Sequence, residues 1–270
     1  MTPQDFEFVS SLLKERSGLD LRADKTYLLE SRLAPLARQH GYADLDALIA
    51  DLRASKSEKM IREVMEAMTT NESFFFRDGT PFDIFRKEVL PHLLEARATN
   101  RSLRIWSAAS SSGQEPYSLA MILSEEASKL AGWRIEILGT DIDSSILEKA
   151  KVGIYSQFEV QRGLPIQMLM KYFQQNNEMW QIDASIRAMV KYQELNLLSD
   201  FRALGRFDVI FCRNVLIYFD QPTKAQVLSK LCDQLAEDGS LFMGAAETVL
   251  GVTERFKPVP GQRGLYARAA

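Results

Sequence analysis

The run Thr69-Thr70-Asn71-Glu72-Ser73-Phe74-Phe75-Phe76-Arg77-Asp78 sets amide and hydroxyl groups beside three consecutive phenylalanines and closes on an Arg-Asp pair. A helix would space the aromatics three or four apart and a half-buried strand would alternate them, so neither element requires the run. It suits the wall of a binding site, and it would also suit a buried interdomain connector. A second candidate is the turn Ser110-Ser111-Ser112-Gly113, followed by Gln114-Glu115-Pro116-Tyr117. Small residues after a first strand let a cofactor approach the backbone closely, and Pro116 fits the first turn of a following helix. One glycine stands where a dinucleotide fingerprint has three, so the turn makes a poor pyrophosphate cradle. Glu115 is either a contact at that turn or an ordinary carboxylate at a helix start.

Two further segments carry candidate groups. In Leu138-Gly139-Thr140-Asp141-Ile142-Asp143, a carboxylate at the end of a second strand can accept hydrogen bonds from both hydroxyls of a ribose. Asp141 suits that task and Asp143 suits the cap of a helix opening at Ser144, although both aspartates could serve as caps. Phe207-Asp208-Val209-Ile210-Phe211-Cys212 reads as a buried strand breaking into Arg213-Asn214, with Tyr218 just beyond. Ligands bind at the carboxyl ends of strands in open α/β sheets, which puts Arg213, Asn214 and Tyr218 where chemistry is expected. Asn214 would equally satisfy a turn backbone, and Tyr218 would equally pack in a core with its hydroxyl paired.

The elements that must hold these groups come in two styles. From about Pro3 to about Met68 the pattern is of short helices: Phe6, Val9, Leu12 and Leu13 share a face, as do Leu28, Leu29, Leu33 and Leu36. Leu45, Leu48, Ile49 and Leu52 form a third set and Ile61, Val64, Met65 and Met68 a fourth, with Gly18 and Gly41 where helices would stop. From Thr80 the pattern changes. A helix from Thr80 to about Ala98 precedes strands over 103–109, 133–140, 207–212 and 240–245, with helices over 115–130 and 143–152. Such alternation belongs to a parallel α/β sheet. The expected division is a helical N-terminal domain and linker over 1–78 and a sheet domain over 79–270. A small antiparallel insertion is expected at about 156–193. Within it 171–174 and 178–182 would pair across Gln175-Asn176-Asn177, with a helical turn over 184–190 and a third strand over 191–196.

Composition limits the function. The 270 residues are 46% hydrophobic and 26% charged, ample for a buried core. A net charge of −3 argues against nucleic acid as the main partner. Cys212 and Cys232 make no disulfide framework, and His40 and His92 lack metal-ligand spacing, so no metal is expected. The N-terminus has no basic leader and no apolar stretch would span a bilayer, so a cytoplasmic protein without membrane insertion is expected.

Taken in order, Asn71 to Asp78, Ser110 to Ser118, Asp141, Leu195-Asn196-Leu197-Leu198 and Phe207 to Asp220 resemble the CheR-type chemotaxis receptor glutamate methyltransferases over nearly the whole chain. Gln114 replaces the acid commonest in that family and Ser110 stands where many members have cysteine. The resemblance implies a Rossmann-like S-adenosylmethionine-dependent methyltransferase sheet with a small antiparallel β-subdomain, preceded by an all-α domain. It implies cofactor contacts from Asn71, Ser73, Arg77, Glu115, Asp141, Asn196, Leu197, Arg213 and Asn214, with Asn196 and Leu197 at the adenine edge. The implied reaction moves a methyl group from S-adenosylmethionine to a glutamate carboxylate, leaving S-adenosylhomocysteine. That nucleophile is ionised at neutral pH, its free pKa being about 4.3, so no general base is needed. A cation against the attacking carboxylate would blunt it, so Arg77 is assigned first to the cofactor's own carboxylate and second to substrate orientation. Tyr218, a neutral donor, is assigned to orient the incoming carboxylate; Arg77 and Tyr218 are the expected catalytic pair.

The implied partners are the cytoplasmic helices of methyl-accepting chemoreceptors. Family members present basic residues on an N-terminal helix to these acidic partners, and Lys25, Arg32 and Arg38 are the residues here that would serve. Ala34 and Pro35 stand where some relatives are basic, residues 1–78 carry more acids than bases, and a solvated helix face is the plain alternative. Some members take up a receptor-tail pentapeptide by strand addition at the insertion, using a longer glycine-containing loop that Gln175-Asn176-Asn177 does not supply. Tight binding of such a peptide is therefore not expected, and a monomer is. A non-catalytic cofactor-binding regulator and, more remotely, a nucleic-acid methyltransferase are the competing functions. The acidic balance and the missing Pro-Pro after Asn214 speak against the latter. A serine hydrolase lacks its Gly-x-Ser-x-Gly elbow.

Overall fold

Helices Pro3–Ser17, Thr26–Gln39, Leu45–Ser55 and Glu58–Met68 form where the sequence supplies both an apolar face and a cap. Thr2 and Asp5 close a reciprocal capping box around Pro3, and Gly18 ends that helix at φ 81°. Asp44 and Ser57 cap the third and fourth helices through their side chains. All four apolar sets meet in one core around Val9, Leu13, Leu29, Leu33, Leu48 and Val64. The computed structural model, which describes residues 1–269, divides the chain into two units. Residues 218–223 pack with this helical unit: Leu19 bridges Phe219 antiparallel, the Asp20 N–H donates to the Tyr218 carbonyl at 2.8 Å, and Lys14 pairs with Asp220 at 2.7 Å.

The second unit takes residues 71–217 and the chain from 224 onward. Its strands are β1 (Ser102–Ala108), β2 (Arg134–Asp141), β3 (Ile154–Ser156), β4 (Phe173–Asn176), β5 (Met179–Ile182), β6 (Val190–Glu194), β7 (Phe207–Cys212), β8 (Leu235–Met243), β9 (Phe256–Pro258) and β10 (Leu265–Arg268). Seven of them form a sheet in the order β6-β2-β1-β7-β8-β10-β9. The pairings are parallel from β6 through β8 and antiparallel at β10 and β9. The chain steps outward from β1 through β2 to β6 on one side and from β7 to β8 on the other. The carboxyl ends of β1 and β7 therefore flank a reversal of strand order, where this class of sheet binds ligands. β7 is buried along its whole length, as a central parallel strand must be.

The expected helix from Thr80 runs as Thr80–Ile84, a widened π turn over Phe85–Val89, and Leu90–Ala96. Pro91 explains the turn, because its ring and missing N–H disturb the preceding carbonyls. The helix after Gly113 covers Gln114–Glu125 and gives way to tight turns instead of reaching residue 130. In the insertion, β4 and β5 pair antiparallel, but Lys171 and Tyr172 end a helix, Gln175 and Asn176 belong to β4, and the turn shrinks to Asn177, at φ 55°, and Glu178. The third strand corrects the sequence reading: it is β3, in the order β3-β5-β4, whereas 190–194 becomes β6 and joins the main sheet parallel to β2. Tyr192 accounts for this choice, since its ring lies where Cβ atoms on Gly139 and Gly113 would stand. Only in the main sheet does it meet that pair of glycines.

Candidate active site

The larger unit gathers six chain segments at the carboxyl ends of β1, β2, β6, β7 and β8. The run 71–78 is an irregular turn whose three phenylalanines diverge. Phe75 is buried edge-on against Tyr155 and Phe173 at ring distances of 5.0 and 5.5 Å, and Phe76 meets Phe82 at 5.3 Å. Phe74 lies under the Arg77 and Arg162 guanidinium groups, 5.2 and 4.3 Å from its centroid. Asn71 fixes the start of the run, accepting from the Ser111 hydroxyl at 2.9 Å and donating to Asp143 at 2.6 Å. The Phe76 N–H donates to Ser118 Oγ at 3.0 Å. Ser73, another expected contact, lies half-buried in the same run.

Five of the eight described non-glycine residues with positive φ lie on these loops: Phe76 (50°), Asp78 (69°), Ala109 (60°), Ser111 (49°) and Asn214 (59°). Each such conformation costs about 1–3 kcal/mol and persists only where surrounding bonds fix it, so their concentration marks the functional end of the sheet. The fixing bonds are visible. Ser110 N–H donates to the Thr140 carbonyl at 2.8 Å, and Tyr155 Oη donates to the Ser112 carbonyl at 2.7 Å.

Asp141 ends β2 and is buried. Its Oδ2 accepts from the Ser111 N–H at 2.8 Å and its Oδ1 from the Asp143 N–H at 3.1 Å. Burial pushes the Asp141 carboxyl up from its ordinary range, and the amides of Asp143 and Ser111 pull it back. Among the described residues no cation pairs with it. A buried carboxylate so placed needs further donors, and it has acceptor positions left for them. Asp143 is the helix cap that the sequence suggested, accepting from the Ser145 and Ile146 N–H groups at 2.9 and 3.0 Å.

Arg213 is buried and ties three segments together. It donates to Glu115 Oε2 at 3.0 Å, to Asp78 Oδ2 at 2.7 Å and to the Arg77 carbonyl at 2.8 Å. Those donors serve the protein itself and give Arg213 an organising task, while its buried Nε has no partner within the protein. Glu115 also accepts from Ser107 Oγ at 2.8 Å; burial pushes its carboxyl up while Arg213 pulls it down. Arg77 differs from Arg213. Its guanidinium donates to the Glu72 carbonyl at 2.9 Å and pairs with no carboxylate among the described residues, which leaves donors for one. At the end of β6, Leu195 N–H donates to the Asp141 carbonyl at 2.8 Å, and Asn196 Oδ1 accepts from Leu198 N–H at 2.9 Å, with Leu197 buried beside it.

Tyr218 and the basic residues Lys25, Arg32 and Arg38 belong to the helical unit. Arg32 has a structural task that the sequence did not disclose. Its guanidinium donates to the carbonyls of Met68 and Thr69 at 2.6 and 2.7 Å and to the Thr70 hydroxyl at 2.9 Å, holding the end of the last helix. Lys25 lies over the Tyr27 ring at 5.8 Å, and Arg38 is exposed. Sequence reasoning missed Glu247, which follows β8. Its carboxylate accepts from the N–H groups of Asn214, Val215, Leu216 and Gly244 at 2.7–3.0 Å. The only sequence signal was an acid three residues after the glycine that ends a strand.

A mostly parallel sheet with a small-residue turn after β1 and a buried carboxylate at the end of β2 is the arrangement of an α/β domain that binds a ribose-containing cofactor. Comparison with known proteins makes the assignment specific. Residues 71–265 match the family described as CheR methyltransferase, SAM binding domain, and residues 4–69 match CheR methyltransferase, all-alpha domain. The chain is 39% identical over 270 residues to chemotaxis protein methyltransferase 1 of Pseudomonas aeruginosa, covering 98% of this chain and 97% of that protein. It is 35% identical over 268 residues to the chemotaxis protein methyltransferase of Vibrio parahaemolyticus, covering 98% and 96%. With that of Borreliella burgdorferi it shares 34% over 256 residues, covering 93% and 90%. The chain belongs to the CheR methyltransferase family, and its cofactor is S-adenosylmethionine.

The residues present suit that molecule. Asp141 offers acceptors to a diol, Arg77 offers donors to an amino-acid carboxylate, and the buried Ser110–Gly113 turn supplies small side chains beside them.

Proposed function

We propose that this protein methylates glutamate side chains on the cytoplasmic helices of chemoreceptors, producing glutamate methyl esters and S-adenosylhomocysteine. The observation that supports this reading most is the likeness to chemotaxis protein methyltransferases, which runs through the helical and cofactor-binding segments together at 39% identity. S-adenosylmethionine supplies a methyl group on a sulfonium that an already ionised carboxylate can attack without a base. Charge is neutralised as the methyl moves, so alignment and partial desolvation, rather than proton transfer, are what the protein must provide.

In this proposal Asp141 accepts from the two ribose hydroxyls and Arg77 clamps the cofactor's carboxylate, away from the nucleophile. Glu115 receives the cofactor's ammonium while Arg213 holds it in place. Asn71, Ser73, Asn196, Leu197 and Asn214 line the cofactor. Tyr218 donates to the incoming glutamate carboxylate and aims it at the methyl group. Lys25 and Arg38 meet the acidic receptor helix, and Arg32 contributes by keeping the end of the 58–68 helix in place. The enzyme acts as a cytoplasmic monomer; no described helix is long and apolar enough to cross a membrane.

The test is incubation with methyl-labelled cofactor and a set of receptor cytoplasmic domains. Base-labile label on receptor glutamates is the expected result. Base-stable label, or label on nucleic acid in place of receptor, would refute it.

A further inference from the structure

The loop after β7 is held by a carboxylate that comes from the end of β8. Glu247 Oε1 accepts from the Val215 and Leu216 N–H groups at 3.0 and 2.8 Å, and Oε2 from the Asn214 and Gly244 N–H groups at 2.8 and 2.7 Å. Four backbone donors converging on one carboxylate make an anion nest, filled here by the protein's own side chain. Those bonds keep Asn214 at φ 59°, a conformation that no glycine makes easy at this position. Gly244 completes the arrangement from the other side. A Cβ added there would lie 2.7 Å from Glu247 Oε2, 2.8 Å from Asn214 Nδ2 and 3.0 Å from Asn214 N. The space between the ends of β7 and β8 is thus closed by three mutually dependent residues: Asn214, Gly244 and Glu247.

From this geometry we infer that Glu247 is a positioning residue for the cofactor, setting the Asn214–Leu216 strip through its four hydrogen bonds. The inference rests on the reading of Asn214 as a cofactor contact and not on the identity of the methyl acceptor. A neutral amide cannot reproduce the arrangement. Glutamine has one acceptor oxygen, which can serve one pair of N–H groups, and its amide would then point N–H at N–H against the other pair. The strip would lose two charge-assisted bonds and relax from its left-handed conformation.

The experiment is calorimetric titration of S-adenosylhomocysteine into the full-length protein and its variants, with thermal melting measured alongside. Glu247→Gln is expected to weaken binding roughly tenfold or more, the scale of losing charged hydrogen bonds that order a contact residue. The discriminating measurement is the double variant with Asn214→Ala. If Glu247 works through the strip, Glu247→Gln costs much less affinity on the Asn214→Ala background than on the native one. Two independent, multiplying losses would overturn the inference, as would an Asn214→Ala variant with native affinity. Should Glu247→Gln fail to fold, Gly244→Ala takes its place, because its Cβ would displace the same carboxylate and the same asparagine; native affinity in that variant would also overturn it. Because the readout is product binding, absence of receptor methylation would sink the proposed substrate and leave this result standing.

Discussion

Asp141 gives the sharpest test of the cofactor assignment, and the structure dictates which substitution to make. Its two oxygens already serve the Ser111 and Asp143 N–H groups. Alanine would strand both donors in a buried site at a cost of about 1–3 kcal/mol each, so lost affinity would be mixed with lost loop structure. Asparagine keeps the shape and one acceptor but turns its amide towards the other N–H donor, so thermal melting is measured alongside to separate lost loop structure from lost affinity. If the ribose hydroxyls donate to the carboxylate, Asp141→Asn removes at least one charged hydrogen bond, worth about 1.5–3 kcal/mol, or roughly ten- to 150-fold in affinity. The pH dependence adds a second signature. Burial raises the Asp141 carboxyl above its ordinary range, so the native protein should lose affinity for S-adenosylhomocysteine as pH falls through that raised value, before an exposed aspartate would protonate. Asp141→Asn should lack that step. Calorimetric titration across this range reads both effects. Native affinity in the asparagine variant, or the same pH step in both proteins, would refute the ribose assignment.

Arg77→Ala should weaken S-adenosylhomocysteine binding and abolish useful turnover, whereas Tyr218→Phe should mainly lower kcat; a Tyr218→Phe variant that altered only cofactor affinity would reverse the assigned roles. Gly139→Ala should destabilise the protein and lower its melting temperature, since its Cβ would stand 2.7 Å from the Tyr192 ring, and Tyr192→Leu should restore part of the loss. Lys14 and Thr223 hold the Asp220 carboxyl down at about 2, so its contribution to stability is complete above the ordinary value of 3.8 and is lost as pH falls from there towards 2. Acid melting curves of Asp220→Asn should be flatter than native over that window. Receptor-tail pentapeptides are expected to show no micromolar binding by calorimetry, on the reading that the short β4–β5 turn supplies no loop to hold them; micromolar binding would refute it.

How far the fold was legible depended on whether a residue's partner was close in sequence. The Asp143 cap and the buried run Phe207–Cys212 are local signals, and each produced the element it indicated. The run 190–194 misled because its destination depends on Gly139 and Gly113, which lie far back in the chain and leave room for Tyr192. Nothing within the strand itself distinguishes the edge of the small sheet from the edge of the large one. Pro91 was visible, but the extra residue in the preceding turn answers a steric conflict that hydrophobic periodicity does not register.

The same division runs through the site. Residue types that could meet a ligand stood out locally, although a carboxylate after a strand also reads as a helix cap and the 69–78 run also reads as a connector. The residues that hold them were not. Arg213 reads as a ligand contact from its position, yet its bonds run to Glu115, Asp78 and the Arg77 backbone, which are dispersed over much of the chain. Glu247 has no local signature beyond its distance from Gly244, and its four donors come from two strand ends. These two residues perform complementary tasks. Arg213 draws the 71–78 run and the Glu115 helix start towards the end of β7, and Glu247 fixes the loop that continues from it. Charge explains the division of labour: a guanidinium can gather two carboxylates and a carbonyl, and only an anion can gather four amides. Replacing either by its neutral near-isostere should therefore disturb several expected contacts at once, with losses that do not add.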